Sequence, residues 1–91
     1  MRFEWDEKKR LKNLDKHELD FADVEKVFEG HVVEFPDDRE DYGEDRFLTL
    51  GLLGDYVVVI VNVLEEDTIR IISMRKADTD EQELYYSEIS Y

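Results

Sequence analysis

Two clusters of cationic side chains are spaced as a phosphate contact would need them. The first lies within Trp5-Asp6-Glu7-Lys8-Lys9-Arg10-Leu11-Lys12-Asn13-Leu14-Asp15-Lys16-His17. On a helix of about 3.6 residues per turn, Lys9, Asn13 and Lys16 fall at i, i+4 and i+7 and share one face. Lys12 flanks that face, while Leu11 and Leu14 point roughly the opposite way. The spacing predicts a helix seated on a core by its leucines, holding outward a cationic, amide-bearing ridge that suits an RNA or phosphate contact and equally an ordinary solvated face. His17 closes the helix. Imidazole is the commonest general acid or base near neutral pH, and it serves equally well to satisfy helix-terminal carbonyls.

The second cluster is Thr68-Ile69-Arg70-Ile71-Ile72-Ser73-Met74-Arg75-Lys76-Ala77. An arginine inside an apolar strand is costly unless it is paired or placed in a site. As a site it would be a phosphate clamp, because guanidinium offers bidentate donors and stabilises a pentacovalent phosphorane. As structure, Arg70 pairs with an acid such as Glu44, and Arg75-Lys76 merely closes a strand. On residue types alone the structural reading is the commoner one. Strand parity adds a constraint: Arg70, Ile72, Met74 and Lys76 share one face, whereas Arg75 lies on the other. Both arginines converge only if a bulge or a strand end falls near Ser73.

Other chemistries find little support. His31 follows Gly30 as a surface or cap residue, and two lone histidines with scattered acids make no recognisable metal site. Asp37-Asp38 and Glu65-Glu66-Asp67 read as solvated turns without EF-hand spacing. With no Cys there are no disulfides, thiolate metal sites or cysteine nucleophile. Neither a Gly-rich phosphate loop nor a serine nucleophile motif is present, and no cofactor is expected.

Ninety-one residues predict a single domain spanning the chain. Hydrophobic residues at 42% and aromatics at 12% suffice for a compact core despite 41% charged residues. The start, Met-Arg-Phe-Glu-Trp, has no apolar h-region. The longest apolar run, residues 56–63, is far below the roughly 20 residues of a membrane helix. A soluble cytoplasmic domain without membrane association is the expectation. The net charge of −13 argues against a general nucleic-acid binder and favours a basic protein partner. Its distribution is uneven. Residues 1–17 carry +2, from six cations against four carboxylates, and the rest carry −15.

The elements that must position these groups follow from local signals. Arg2 to Trp5 reads as a short edge strand, and Asp6 caps a helix running to about Lys16. Asp20 caps a second helix through Phe21, Val24, Val27 and Phe28, ended by Gly30. His31 to Phe35 is a strand stopped by Pro36. After a polar loop, Arg46–Leu53 meets Tyr56–Leu64 across Gly54-Asp55, a tight hairpin turn, and Thr68–Arg75 follows. Thr79-Asp80-Glu81-Gln82 has the form of a capping box, opening a helix to Ile89 with Leu84, Tyr85 and Ile89 inward. The result is an α+β fold: two N-terminal helices, an antiparallel sheet of about four strands, and a C-terminal helix. Tyr56 to Val61 lacks polar alternation, so both faces of that strand need cover, the second from the C-terminal helix, a copy of the chain or another protein.

The two clusters and the loop between them resemble the BrnT family of toxins from type II toxin–antitoxin systems. The matching pieces are Trp5-Asp6, Lys9, Asn13, Lys16-His17, Phe21 and Val27-Phe28, then Asp37, Arg39, Tyr42-Gly43-Glu44 and Arg46. Gly51, Arg70-Ile71-Ile72-Ser73 and Arg75-Lys76-Ala77 complete them. The resemblance implies a RelE-like fold and a metal-independent endoribonuclease that cleaves RNA and inhibits translation. It also implies a BrnA-like antitoxin with a ribbon-helix-helix DNA-binding domain, and a homodimer or toxin–antitoxin heterotetramer. On this resemblance Arg70 and Arg75 bind phosphate and stabilise the transition state. Lys16 and His17 transfer protons or place substrate, and Lys9, Asn13, Lys76 and Glu44 assist binding. One departure is Asp78-Thr79-Asp80-Glu81-Gln82-Glu83, acidic where similar proteins are basic. It keeps open an alternative: a non-catalytic acidic binding module, or an inactive relative, pairing with a basic partner.

Overall fold

The computed structural model describes residues 1–90. In chain order these form strand β1 (Arg2–Trp5), helix α1 (Glu7–His17), a 3-10 turn (Phe21–Asp23), helix α2 (Val24–Glu29) and strand β2 (Val33–Pro36). Strands β3 (Arg46–Leu53), β4 (Tyr56–Glu65) and β5 (Thr68–Lys76) and helix α3 (Thr79–Ile89) complete the order. One five-stranded sheet runs β1-β5-β4-β3-β2. The expected antiparallel four-strand sheet is therefore corrected. β1 joins the meander as a fifth strand, parallel to β5, with Arg2 opposite Thr68 and Trp5 opposite Ile71. That pairing depends on where the whole meander returns, which no local signal records.

Local chemistry sets most boundaries. The Asp6 carboxylate accepts from the amides of Lys8 and Lys9, satisfying two of the free donors at the start of α1. Asp20 caps through the Ala22 amide, but it opens a 3-10 turn that leads into only six residues of α-helix. Gly30 ends α2 in extended backbone (φ −91°), and the left-handed residue is Glu18 (φ 59°), closing α1. β2 covers Val33–Pro36, not His31–Phe35, and its proline sits on the edge strand, where a missing amide does no harm. The capping box lies one residue earlier than expected: the Asp78 carboxylate takes the Glu81 amide, and Glu81 takes the Asp78 amide.

The sheet is covered on both sides. Val58 and Ile60 of β4, with Ile69, Ile71 and Met74 of β5, pack against Phe21, Val24 and Val27. On the opposite face Val57, Val59 and Leu50 pack against Tyr85 of α3, whose hydroxyl donates to the His31 carbonyl at 2.9 Å. Helix α3 thus supplies the second cover that β4 demands. Tyr85 and Ile89 face in as expected, whereas Leu84 is exposed. Gly51 lets α2 approach: a Cβ there would lie 2.5 Å from the Val27 Cγ1. Among the described residues no helix is long and apolar enough to cross a membrane.

Candidate functional site

A β-bulge organises the candidate site. Strands β4 and β5 pair from Glu65↔Thr68 to Asn62↔Ile71, and resume at Val61↔Ser73, leaving Ile72 as the extra residue. Beyond it the side-chain alternation is inverted. Arg70 opposes Val63 and Arg75 opposes Val59, so both guanidiniums stand on the α3 face instead of opposite faces. The inward set, Ile69, Ile71 and Met74, stays inside for the same reason.

Two more arginines join them. Arg46 opens β3 opposite Val63, on that same face. Its Nε donates to Glu44 Oε1 at 3.2 Å, and its guanidinium lies 3.9 Å from the Tyr42 ring centroid. Arg70 donates to Glu44 Oε2 at 2.7 Å and to Glu65 Oε1 at 2.8 Å. Arg39, in the loop between β2 and β3, grips Asp37 through two bonds of 2.7 and 2.8 Å. Arg75 makes a fork with Glu81 at 2.8 and 2.9 Å. The Arg39 charge bears weakly on both members of that fork, and the Arg46 charge weakly on Asp37. This arginine row comprises Arg70, Arg46, Arg39 and Arg75, paired with Glu44, Glu65, Asp37 and Glu81.

The charges reinforce one another. Its hydrogen bonds from Arg39 hold the Asp37 carboxyl below the usual aspartate range, against the opposing effect of burial. Arg75 does the same for Glu81. The pairing with Glu65, then Glu44, raises Arg70, and that with Glu81 raises Arg75. Asp37 corrects an expectation: far from a solvated turn, its side chain is 0% exposed and anchors Arg39. The Arg70–Glu44 pair follows the structural reading of the sequence.

Helix α1 is turned relative to expectation. Its inner stripe is Arg10, Asn13 and His17, while Leu11 and Leu14 are exposed. Arg10 pairs with Asp20 at 3.0 Å and with Glu7. Asn13 is buried, accepting from the Met74 amide at 3.1 Å and donating to the Met74 carbonyl at 2.8 Å and the Leu19 carbonyl at 3.1 Å. β1 ends opposite Ile71, so the side-chain amide of Asn13 serves the β5 edge where the neighbouring strand has stopped. A polar stripe faces in because its target is a strand edge and a carboxylate, not an apolar surface.

Lys9 and Lys16 are exposed and His17 is half-buried. The expected outward ridge of Lys9, Asn13 and Lys16 is therefore not formed: Asn13 is buried and belongs to the fold, while the two lysines are exposed. Lys76 sits 4.2 Å from the Tyr56 ring centroid, at the far end of β5. Among the described residues no three His, Asp or Glu side chains gather as metal ligands would. Sequence reasoning passed over Arg39, Arg46 and Glu81 as site residues. The signal was there in Asp37-x-Arg39 and Glu44-x-Arg46, opposite charges two apart.

A family model described as the ribonuclease toxin, BrnT, of type II toxin–antitoxin systems matches residues 5–81. The chain belongs to the BrnT family. No curated protein matches it significantly. The matched stretch holds the whole arginine row of this BrnT chain and ends at Glu81, the carboxylate that grips Arg75. As a type II toxin, BrnT has an antitoxin partner.

Proposed function

We propose that this BrnT chain is a metal-independent endoribonuclease whose RNA-binding surface is the arginine row on the α3 face. The observation that carries the reading is the bulge at Ile72, which sets Arg70 and Arg75 on one face, with Arg46 level with Arg70 across β4 on that same face. Each guanidinium presents the fork that suits a carboxylate or a phosphate alike. The carboxylates occupy these forks in the free protein. The partly exposed pairs of Arg70 with Glu44 and of Arg75 with Glu81 contribute about 0–1 kcal/mol, so RNA phosphates displace them at little cost, whereas buried Asp37 keeps Arg39.

The reaction begins when a base takes the proton from a 2′-hydroxyl, whose oxygen then bonds to the adjacent phosphorus. The bond to the 5′ oxygen breaks, and an acid returns a proton there, leaving a 2′,3′-cyclic phosphate and a 5′-hydroxyl. Arg70 and Arg75 stabilise the charge that develops on the phosphorane. A displaced Glu44 or Glu81 leaves a carboxylate base beside the bound phosphate. Lys16, His17 and Lys9, at the β5 edge, place the flanking strand and deliver the leaving-group proton, while Lys76, opposite Val58 on the other face, takes no part. Translation falls as RNA is cut, and a BrnA-like antitoxin with a ribbon-helix-helix domain neutralises the toxin.

Induced expression of wild type and of Arg70→Ala/Arg75→Ala, with growth and RNA integrity read together, tests this. Wild type should arrest growth and fragment RNA, and the double variant should do neither. Full growth with intact RNA in both strains would end the reading. A second reading rests on one observation, that every guanidinium of the row is already paired in an acidic chain. It makes the protein a non-catalytic module or inactive toxin relative that docks on a basic partner. RNA cleavage by the purified free chain in a chelator refutes it.

A further inference from the structure

One open cavity has no part in the arginine row. It is an open trough of about 580 Å³ on the other face of the sheet. Its floor includes Phe3, Phe28, Phe47, Leu64 and Ile69. It exists because α2 is only six residues long: the helix covers the sheet as far as Gly51 and leaves the ends of β3, β4 and β5 bare. Leu64 is 49% exposed there, a large apolar side chain in mid-sheet with nothing over it. Asn62 directs its amide donors to Thr49 Oγ1 at 2.9 Å and the Ile60 carbonyl at 3.0 Å, so they are already engaged.

The rim is acidic. Glu25 and Glu29 line it from α2 and Glu34 from β2, and although Met1 also lines it, no Lys, Arg or His side chain does. None of the three forms an ion pair among the described residues. Glu25 and Glu29 are four apart on one helix, a like-charge spacing that destabilises the free protein slightly and that a cation would relieve. A small polar ligand would need converging donors and acceptors, which this floor lacks. An apolar floor between carboxylate banks suits a segment with apolar side chains on one face and Lys or Arg on its flanks.

We infer that this trough is the docking site of the antitoxin, which enters it with a cationic amphipathic segment. The occupant is the antitoxin because a type II toxin has one and because the rim charge selects a basic partner over a second copy of this chain at −13. The site lies across the sheet from the arginine row, so binding there does not require the guanidiniums. The inference rests on the toxin–antitoxin pairing and not on the ribonuclease reading.

The test titrates the free toxin with the purified antitoxin encoded beside it, by calorimetry at two salt concentrations. Glu25→Lys/Glu29→Lys and Leu64→Glu alter exposed side chains and should leave the melting temperature near wild type. Each should weaken binding at least tenfold, and the wild-type affinity should fall with salt. Arg70→Ala/Arg75→Ala should bind as wild type. Undiminished binding by both trough variants overturns the inference, as does loss of binding in the arginine variant alone. A free toxin that self-associates, and that Leu64→Glu makes monomeric, would assign the trough to a second copy and overturn it too. Absence of RNA cleavage by wild type would refute the ribonuclease reading while leaving these affinities to decide the trough.

Discussion

Replacing Asn13 by alanine separates a structural from an RNA-binding role for the one buried amide of α1. The wild-type side chain makes three hydrogen bonds, two of them to the backbone of Met74 on the β5 edge and one to Leu19. Each is worth about 1 kcal/mol net, and a buried group left without a partner costs roughly 1–3 kcal/mol. Water reaches part of the edge once the side chain is gone, so the loss should total about 2–4 kcal/mol. For a domain of this size, each kcal/mol shifts the melting temperature by roughly 4–8 °C, giving a fall of about 8–32 °C. Thermal and urea unfolding followed by circular dichroism measure it. Asn13→Asp should lose at least as much, because a carboxylate cannot donate to the Met74 and Leu19 carbonyls. At a temperature where the variant remains folded, RNA cleavage per folded molecule should stay within about threefold of wild type. The reasoning fails if Asn13→Ala unfolds like wild type yet loses cleavage a hundredfold, since that pattern belongs to a substrate contact.

Gly51→Ala should destabilise by about 1–3 kcal/mol, because its methyl meets Val27 Cγ1 at 2.5 Å and a β-branched helical side chain has no second rotamer to offer. The same change in a Val27→Ala background should cost less, leaving only the 3.2 Å contact with Val32 Cγ1, and a double-mutant cycle by urea unfolding checks this. Glu81→Gln unlocks Arg75 and should lower stability by no more than about 1 kcal/mol while tightening RNA binding several-fold, read by fluorescence anisotropy. Unchanged affinity would argue that Arg75 does not meet phosphate. Asp20, Asp37 and Glu81 have folded-state pKa values below the ordinary 3.8, 3.8 and 4.5, so the unfolded chain takes up their protons first. The stability they contribute is complete above about pH 5 and is lost as pH falls through 4.5 and below. A urea midpoint that rises between pH 5 and pH 3 would contradict those pairings.

Much of the fold was legible because its signals are short-range. Asp6 before a helical run, Gly54-Asp55 between two apolar runs and Pro36 at a strand end each act on residues within a few positions of themselves. Strands β3, β4 and β5 and helix α3 came out within a residue of expectation on such signals. The site was legible in part: Arg70, Arg75 and Glu44 could be named, and the need for a bulge near Ser73 could be stated from strand parity alone. Arg39 and Asp37 were harder to see, because a loop acid reads as solvated until the fold buries it.

Residue order alone suffices for the succession of elements, the α+β class, the acidic surface and the two cationic clusters. Three-dimensional packing was needed to show that β1 adds parallel to β5, that Ile72 is the bulged residue, and that Asn13 faces inward. The same holds for the unlidded trough beside α2. The difference is one of range. Caps, turns and periodicity are set by neighbours along the chain, whereas a strand edge needing an amide, or a face needing a lid, is defined by residues far apart in sequence. Asn13 and Met74 illustrate this: neither residue, alone or with its neighbours, says that one completes the hydrogen bonding of the other.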